Sequence, residues 1–342
     1  MGHKNKQDLQ LKKQSSTRIT LTFIVSVCVL FLTAYLSLVL GSSSISTRDV
    51  IDYIFQGTDT KQTFIIHNVR MPRMIGAIVI GAALGLAGLL MQIMTRNPLA
   101  SPQIFGINAG ASFVIVLITM LVPALAPWDT LFAFVGAFLG GLVVYLLSGS
   151  TKAITPVKLA LAGMAIHLFF SSLTEGIILL NEDSTTRVMF WLVGSLSTLK
   201  WTAVLSIIPW LILAFFVTIL MSRQLSILEL GDTMARGLGQ NVTFIRIIIG
   251  LLVVILAGSS VSIAGPIGFV GLIVPHLVKH YVPRNYMYSV PLTMIMGADL
   301  LLVSDVLSRY ITYPFESPVG IVTAFLGATY FLFITVRGVR QE

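Results

Sequence analysis

Arg73-Met-Ile-Gly-Ala-Ile-Val-Ile-Gly-Ala-Ala-Leu-Gly-Leu-Ala-Gly-Leu-Leu-Met-Gln-Ile-Met-Thr95 decides the fold class. No charged residue stands between Arg73 and Arg96. A helix crosses the hydrocarbon core of a bilayer with about 20 predominantly apolar residues, so this stretch is long enough to span it. Working outward, similar runs lie near 19–40, 103–123, 130–148, 158–180, 201–221, 243–263, 266–281, 288–304 and 319–336. The runs at 266–281 and 288–304 are short. The expectation is an all-α membrane protein of about ten transmembrane helices in one membrane domain, 19–342, after a polar tail, 1–18.

Composition agrees. Of 342 residues, 56% are hydrophobic and 11% charged, against about 25% charged in soluble domains. The net charge of +8 would suggest a nucleic-acid partner in a soluble chain, but here it reads as cytoplasmic loop charge. Cys28 is the one cysteine, so no site can rest on a cysteine pair. The apolar run 19–40 exceeds the core of a signal peptide, about 7–15 residues, and reads as a retained first span.

With Lys4, Lys6, Lys12, Lys13 and Arg18 inside, ten spans also bring Arg96, Lys152, Lys158, Arg223, Arg236, Lys279, Arg284, Arg337 and Arg340 inside. Asp49, Asp52, Asp59, Asp129, Glu182, Asp183 and Glu316 fall outside. The basic bias puts both termini in the cytoplasm and favours an even count.

No phosphate loop, HExxH or catalytic constellation appears, so no enzyme activity, cofactor or metal site is expected of this chain. The singular features are at the ends of spans. Arg70 and Arg73 flank Pro72 at a helix start, where the dipole gives cations no help; they need an acidic partner or lipid phosphates. Arg96-Asn-Pro-Leu-Ala-Ser-Pro102 breaks the chain into a corner, and 265–276 repeats that punctuation. His167, Ser171 and Glu175 recur every four residues on one helical face. They would line a pathway or satisfy one another. Asp299 is a second intramembrane carboxyl. Residues 222–241 form an amphipathic segment interrupted at Gly231, Gly237 and Gly239, with Asp232 able to cap a second short helix. It suits either docking or an interfacial position on lipid. A weak inverted echo relates Gly81–Gly88 to 256–265.

Taken in order, Arg70-Met-Pro-Arg73, the run to Gln92, Asn97-Pro-Leu-Ala100, Phe105-Gly-Ile-Asn-Ala-Gly110, Leu159-Ala-Leu-Ala-Gly163 and Phe190-Trp-Leu-Val-Gly-Ser195 resemble one family. Leu230-Gly-Asp232, Ala235-Arg-Gly-Leu-Gly239, Ala264-Gly-Pro-Ile-Gly-Phe-Val-Gly-Leu-Ile-Val-Pro-His276, Asp305-Val-Leu-Ser-Arg309 and Pro318-Val-Gly-Ile-Val-Thr323 extend the match. The chain resembles the permease subunits of vitamin B12 and iron-siderophore (FecCD-type) ABC importers over nearly its whole length after about residue 20.

That resemblance implies a type II ABC importer permease fold in a bacterial cell membrane. It implies a second permease subunit, identical or paralogous, two cytoplasmic ATPase subunits carrying ATP and Mg, and an extracytoplasmic substrate-binding protein. By the same resemblance Arg70, Arg73 and Arg309 would dock the binding protein. Asn97, Pro98 and Leu99, with Thr155 and Pro156, would form inner gates. Residues 223–240, through Leu228, Glu229, Gly231, Asp232, Arg236 and Gly239, would be coupling helices in the ATPase cleft. The implied activity is ATP-driven import of iron-siderophore complexes by alternating access. Haem or cobalamin remains open as the load. A proton- or sodium-coupled secondary transporter, resting on His167, Glu175 and Asp299, is the rival from another class.

Overall fold

Helix α4, Met71–Thr95, is apolar on every side and almost wholly buried. A helix of that kind belongs in the middle of a bundle. The computed structural model describes residues 2–41, 45–55, 60–149, 156–180, 185–282, 285–311, 313 and 315–339, and places α4 there. Ahead of it come α1 (Gly2–Val39), α2 (Thr47–Phe55) and α3 (Lys61–Ile65), the last joined to α4 by a π-helical turn, Ile66–Arg70. After it come α5 (Ile107–Leu121), α6 (Asp129–Leu147), α7 (Pro156–Leu179), α8 (Thr185–Val193) and α9 (Trp201–Leu220). Two short helices, α10 (Ser222–Glu229) and α11 (Asp232–Gly237), precede α12 (Val242–Ala264), α13 (Val270–Tyr281), α14 (Tyr286–Ile311) and α15 (Val319–Val339). Among the described residues there is no strand.

Among the described residues, seven helices are long and apolar enough to cross a membrane, and Ile107–Leu121 and Val319–Phe333 are shorter apolar helices. The protein is an all-α, multi-pass membrane protein. The run expected at 288–304 is not short: α14 continues to Ile311, because Asp305 and Arg309 are buried and satisfy each other. The run at 266–281 is short. Gly265 and Phe269 both adopt positive φ, so helix begins only at Val270. Twelve residues of α-helix reach about 18 Å, well under the roughly 30 Å hydrocarbon core. The first helix runs unbroken through the polar tail into the apolar segment.

Small residues set the packing around α4. A Cβ added at Gly81 would lie 2.3 Å from the Gly297 carbonyl oxygen, and one at Gly85 would lie 2.9 Å from that of Thr293. Gly88 is tighter: its Cβ would stand 1.9 Å from the Gly271 oxygen. Backbone-to-backbone approach of this kind is how membrane helices gain contact where lipid is as apolar as their side chains. It also fixes register. Residues 81 and 85 of α4 meet 297 and 293 of α14, so the two helices run antiparallel and position 73 falls opposite position 305. Gly88→Ala must force α4 and α13 apart. The expected loss is about 1–3 kcal/mol, as for overpacked cores, read as a lower melting temperature in detergent. Gly250→Ala, where an added Cβ meets nothing within 4 Å, should not lower it.

Candidate functional site

At the Arg73 end of α4, five charged residues converge. Arg73 Nε donates to Asp305 Oδ1 at 2.8 Å and its Nη1 donates to Glu316 Oε2 at 2.6 Å. Arg309 pairs with the other Asp305 oxygen and donates to the Ser37 carbonyl at 2.9 Å and that of Leu40 at 3.1 Å. Arg70 donates to the Leu38 carbonyl. The end of α1, where the last carbonyls have no partner within the helix, is thus capped by two guanidiniums. Asp305 is fully buried, and all three arginines are buried as well. The three arginines singled out in the sequence are brought together, and the chain sets two carboxylates of its own, Asp305 and Glu316, against Arg73 and Arg309. Asp305 could have been found from its i,i+4 spacing to Arg309; Glu316 carries no such signal.

Glu316 is the accessible member, 39% exposed. Beside the cluster lies an open cavity of about 720 Å³ lined by Arg309, Asp49, Gln62, Tyr310 and Tyr313. Asp49 caps α2 jointly with Ser46, whose backbone N–H and hydroxyl both donate to its carboxylate at 2.7 Å. Those two bonds hold Asp49 below the usual carboxylate range.

At the opposite end, α4 stops at Thr95 and Arg96 turns left-handed, with φ 51° and ψ 33°. The corner follows as expected from its sequence. The Leu99 N–H donates to the Asn97 side-chain oxygen at 2.9 Å, and Ala100 N–H to the Asn97 carbonyl at 3.1 Å. Asn97, Pro98 and Leu99 are all exposed. A short 3-10 turn, Pro102–Phe105, then leads into α5. Thr155 lies outside the described residues, as do Asp59, Lys152, Glu182, Asp183, Arg284 and Arg340; Pro156 opens α7.

The segment after α9 packs beneath this corner. Leu225 and Leu228 are fully buried. Leu228, expected to face a partner, is therefore an anchor that seats α10 in the bundle. Leu230, Met234 and Leu238 are 54%, 61% and 62% exposed. They stand at the end of α10, within α11 and just after it, three exposed apolar side chains with the exposed Arg236 and Gly239 nearby. Asp232 does not cap α11. Gly231 occupies the cap position, and the Asp232 carboxylate is gripped instead by Arg246 through two 2.9 Å bonds and by Arg96 at 3.0 Å. Glu229 faces Lys279 at 3.4 Å. A cavity of about 340 Å³ joins the two regions, lined by Arg96 and Pro98 on one side and Ser226, Glu229 and Leu230 on the other.

His167, Ser171 and Glu175 do share one face of α7. With Asn108 and Ser112 of α5, and with Ser101 and Gln103 just past the corner, they line a groove of about 630 Å³. Met164 and Leu168 line the same groove, and α7 is lightly covered, with both of these and Leu161 and Phe169 exposed. Asp299 lies elsewhere, on α14, with one oxygen buried and without a hydrogen-bond partner among the described residues. His276 packs edge-on to Tyr330, ring centroids 6.2 Å apart. Among the described residues, no group of three or more His, Cys, Asp or Glu is placed to hold a metal ion.

The whole arrangement has known relatives. The Fe(3+)-citrate import system permease protein YfmD of Bacillus subtilis is 46% identical over 327 residues, covering 96% of this chain and 97% of that one. The Fe(3+) dicitrate transport system permease protein FecC of Escherichia coli is 37% identical over 317 residues, covering 91% and 95%. Among solved structures, an inward-facing conformation of a protein described as a metal-chelate type ABC transporter superposes with a TM-score of 0.79 at 29% identity, covering 93% of this chain and 99% of that one. The profile of the FecCD transport family matches residues 29–337, essentially all of the bundle, and the chain belongs to that family.

Proposed function

We propose that this chain is the permease subunit of a binding-protein-dependent ABC importer that moves ferric siderophores into a bacterial cell. The observation that carries the reading is the exposed apolar trio Leu230, Met234 and Leu238 on the α10–α11 segment, tied to the exposed corner Asn97–Leu99 by the Asp232 ion pairs. A free-standing carrier has no use for an apolar docking platform tied to its gate. The relatives supply the load: YfmD and FecC are described as ferric citrate permeases.

In this reading the chain crosses the membrane about ten times, as one permease domain over 19–342. Both termini lie in the cytoplasm, which puts Arg96 and the 223–240 coupling helices inside and the arginine cluster outside. The lightly covered α7 faces a second permease subunit, and the groove bearing His167, Ser171 and Glu175 becomes half of the pathway between them. Asn97, Pro98 and Leu99 close it on the inside, with Thr155 and Pro156 as a second gate. Glu229, Gly231, Asp232, Arg236 and Gly239 belong to the segment docked on the ATPase, which carries ATP and Mg.

A binding protein docks at the Arg70, Arg73 and Arg309 corner. Because Arg73 already holds Glu316, an incoming carboxylate reaches it by displacing that exposed residue. Nucleotide binding favours one state of the ATPase pair over the other, and that difference in affinity drives the permease between inward- and outward-facing forms.

A strain lacking the chain should lose accumulation of labelled ferric siderophore and regain it from a plasmid copy. Loss confined to labelled haem or cobalamin would reassign the load. Unchanged accumulation of all three would remove the importer reading.

A further inference from the structure

Arg96 combines two properties that rarely meet. Its backbone is left-handed, φ 51°, a conformation uncommon for a residue with a side chain and usually left to glycine. Its guanidinium reaches out of the bundle to Asp232 Oδ1 at 3.0 Å. A glycine would make the same turn with less strain, so the side chain is what the position retains. The residue that ends α4 and starts the Asn97–Leu99 corner is therefore also bonded to the first residue of α11.

The far side of that bond is held firmly. Arg246, buried near the start of α12, grips the same carboxylate with both terminal nitrogens. This is the geometry in which an arginine–carboxylate pair is strongest and most directional. Gly231 completes the joint. At φ 105° it lets the chain turn from α10 into α11, and a Cβ there would stand 3.1 Å from Arg96 Nη1. Coupling between two sites requires an element that both can bias. Arg96 is in contact with both, through its backbone at the corner and through its side chain at α11.

Resting on the ABC permease reading above, we infer that Arg96 is a positioning residue that transmits movement of the α10–α11 segment to the inner corner, through Asp232 and its anchor Arg246. A pair as open as this, 35% and 30% exposed, contributes little to stability by itself. Its removal should leave the fold intact and act on coupling.

The test uses the full complex, permease with ATPase and binding protein, in proteoliposomes loaded with ferric siderophore. Substrate moved per ATP hydrolysed is the readout. Arg96→Gln should assemble with the ATPase and melt at the wild-type temperature, yet lower that ratio by about fivefold or more, the usual span of a coupling between sites. Arg96→Lys, which keeps the charge on the same backbone, should restore most of it. Combining Asp232→Asn, which also releases Arg246, with Arg96→Gln should lower the ratio by less than the product of the two single effects, because they share the Arg96–Asp232 contact.

A wild-type ratio in Arg96→Gln overturns the inference, and so does an additive double variant. If Arg96→Gln does not accumulate, Asp232→Asn alone breaks the same contact: a lowered ratio supports the joint and a wild-type ratio overturns it. A wild-type complex without ATP-driven uptake would overturn the functional reading itself, an outcome separate from either.

Discussion

Asp305→Ala will leave little folded protein to recover from membranes. Asp305 is fully buried and its two oxygens serve two buried arginines, Arg73 at 2.8 Å and Arg309. Removing one partner of a buried ion pair costs about 3–5 kcal/mol, because the remaining charge is stranded without water or counter-ion. Here Arg309 would lose its carboxylate partner and Arg73 one of its two, keeping Glu316, against a total stability of about 5–15 kcal/mol for a typical protein. The cluster also ties α4 and α14 to the end of α1, so the loss spreads across three helices. Yield and thermal melting in detergent measure it. Glu316→Ala is the contrast. Its side chain is 39% exposed, water can replace it, and a change of at most about 1 kcal/mol is expected. Wild-type melting of Asp305→Ala would mean that the arginines do not depend on the acid beside them.

The second large effect belongs to the opposite end. The triple variant Leu230→Asp, Met234→Asp and Leu238→Asp should fold normally, since all three side chains already face outward, and should fail to retain an ATPase. Burying an exposed Leu or Met on docking is worth about 1.5–3 kcal/mol. Three together represent about 5 kcal/mol or more, on the order of a thousandfold in affinity. Co-purification of the ATPase should vanish and ferric siderophore uptake should fall to background. An ATPase retained by this variant would show that these side chains meet lipid, the other use of an amphipathic surface. Leu225→Asp would be a poor substitute, because Leu225 is fully buried and its loss would unseat α10.

How far the sequence could be read depended on how local each cause was. The run from Met74 to Thr95 announces α4 because nothing charged interrupts it. The Asn97 corner was legible because its side chain bonds two residues ahead. The run ending at 304 was cut short because Asp305 and Arg309 look like the edge of a membrane, whereas in the bundle they neutralise each other and α14 continues. The partners of Arg73 were hidden by distance: Asp305 is 232 positions away in the chain, and the register that joins them is set by Gly81 and Gly85 against α14. Residues 222–241 showed their amphipathic character but not its direction. A turn at Gly231 breaks the helical period, so Leu228 points in while Leu230 points out.

One reconstitution decides between the importer and a gradient-driven carrier. The chain, its candidate partner permease, ATPase and binding protein are placed in proteoliposomes without an ion gradient, and ferric siderophore import is followed on adding ATP. Import that requires ATP, the ATPase and the binding protein together is the expected result. Import that proceeds on a proton or sodium gradient with this chain alone would contradict it.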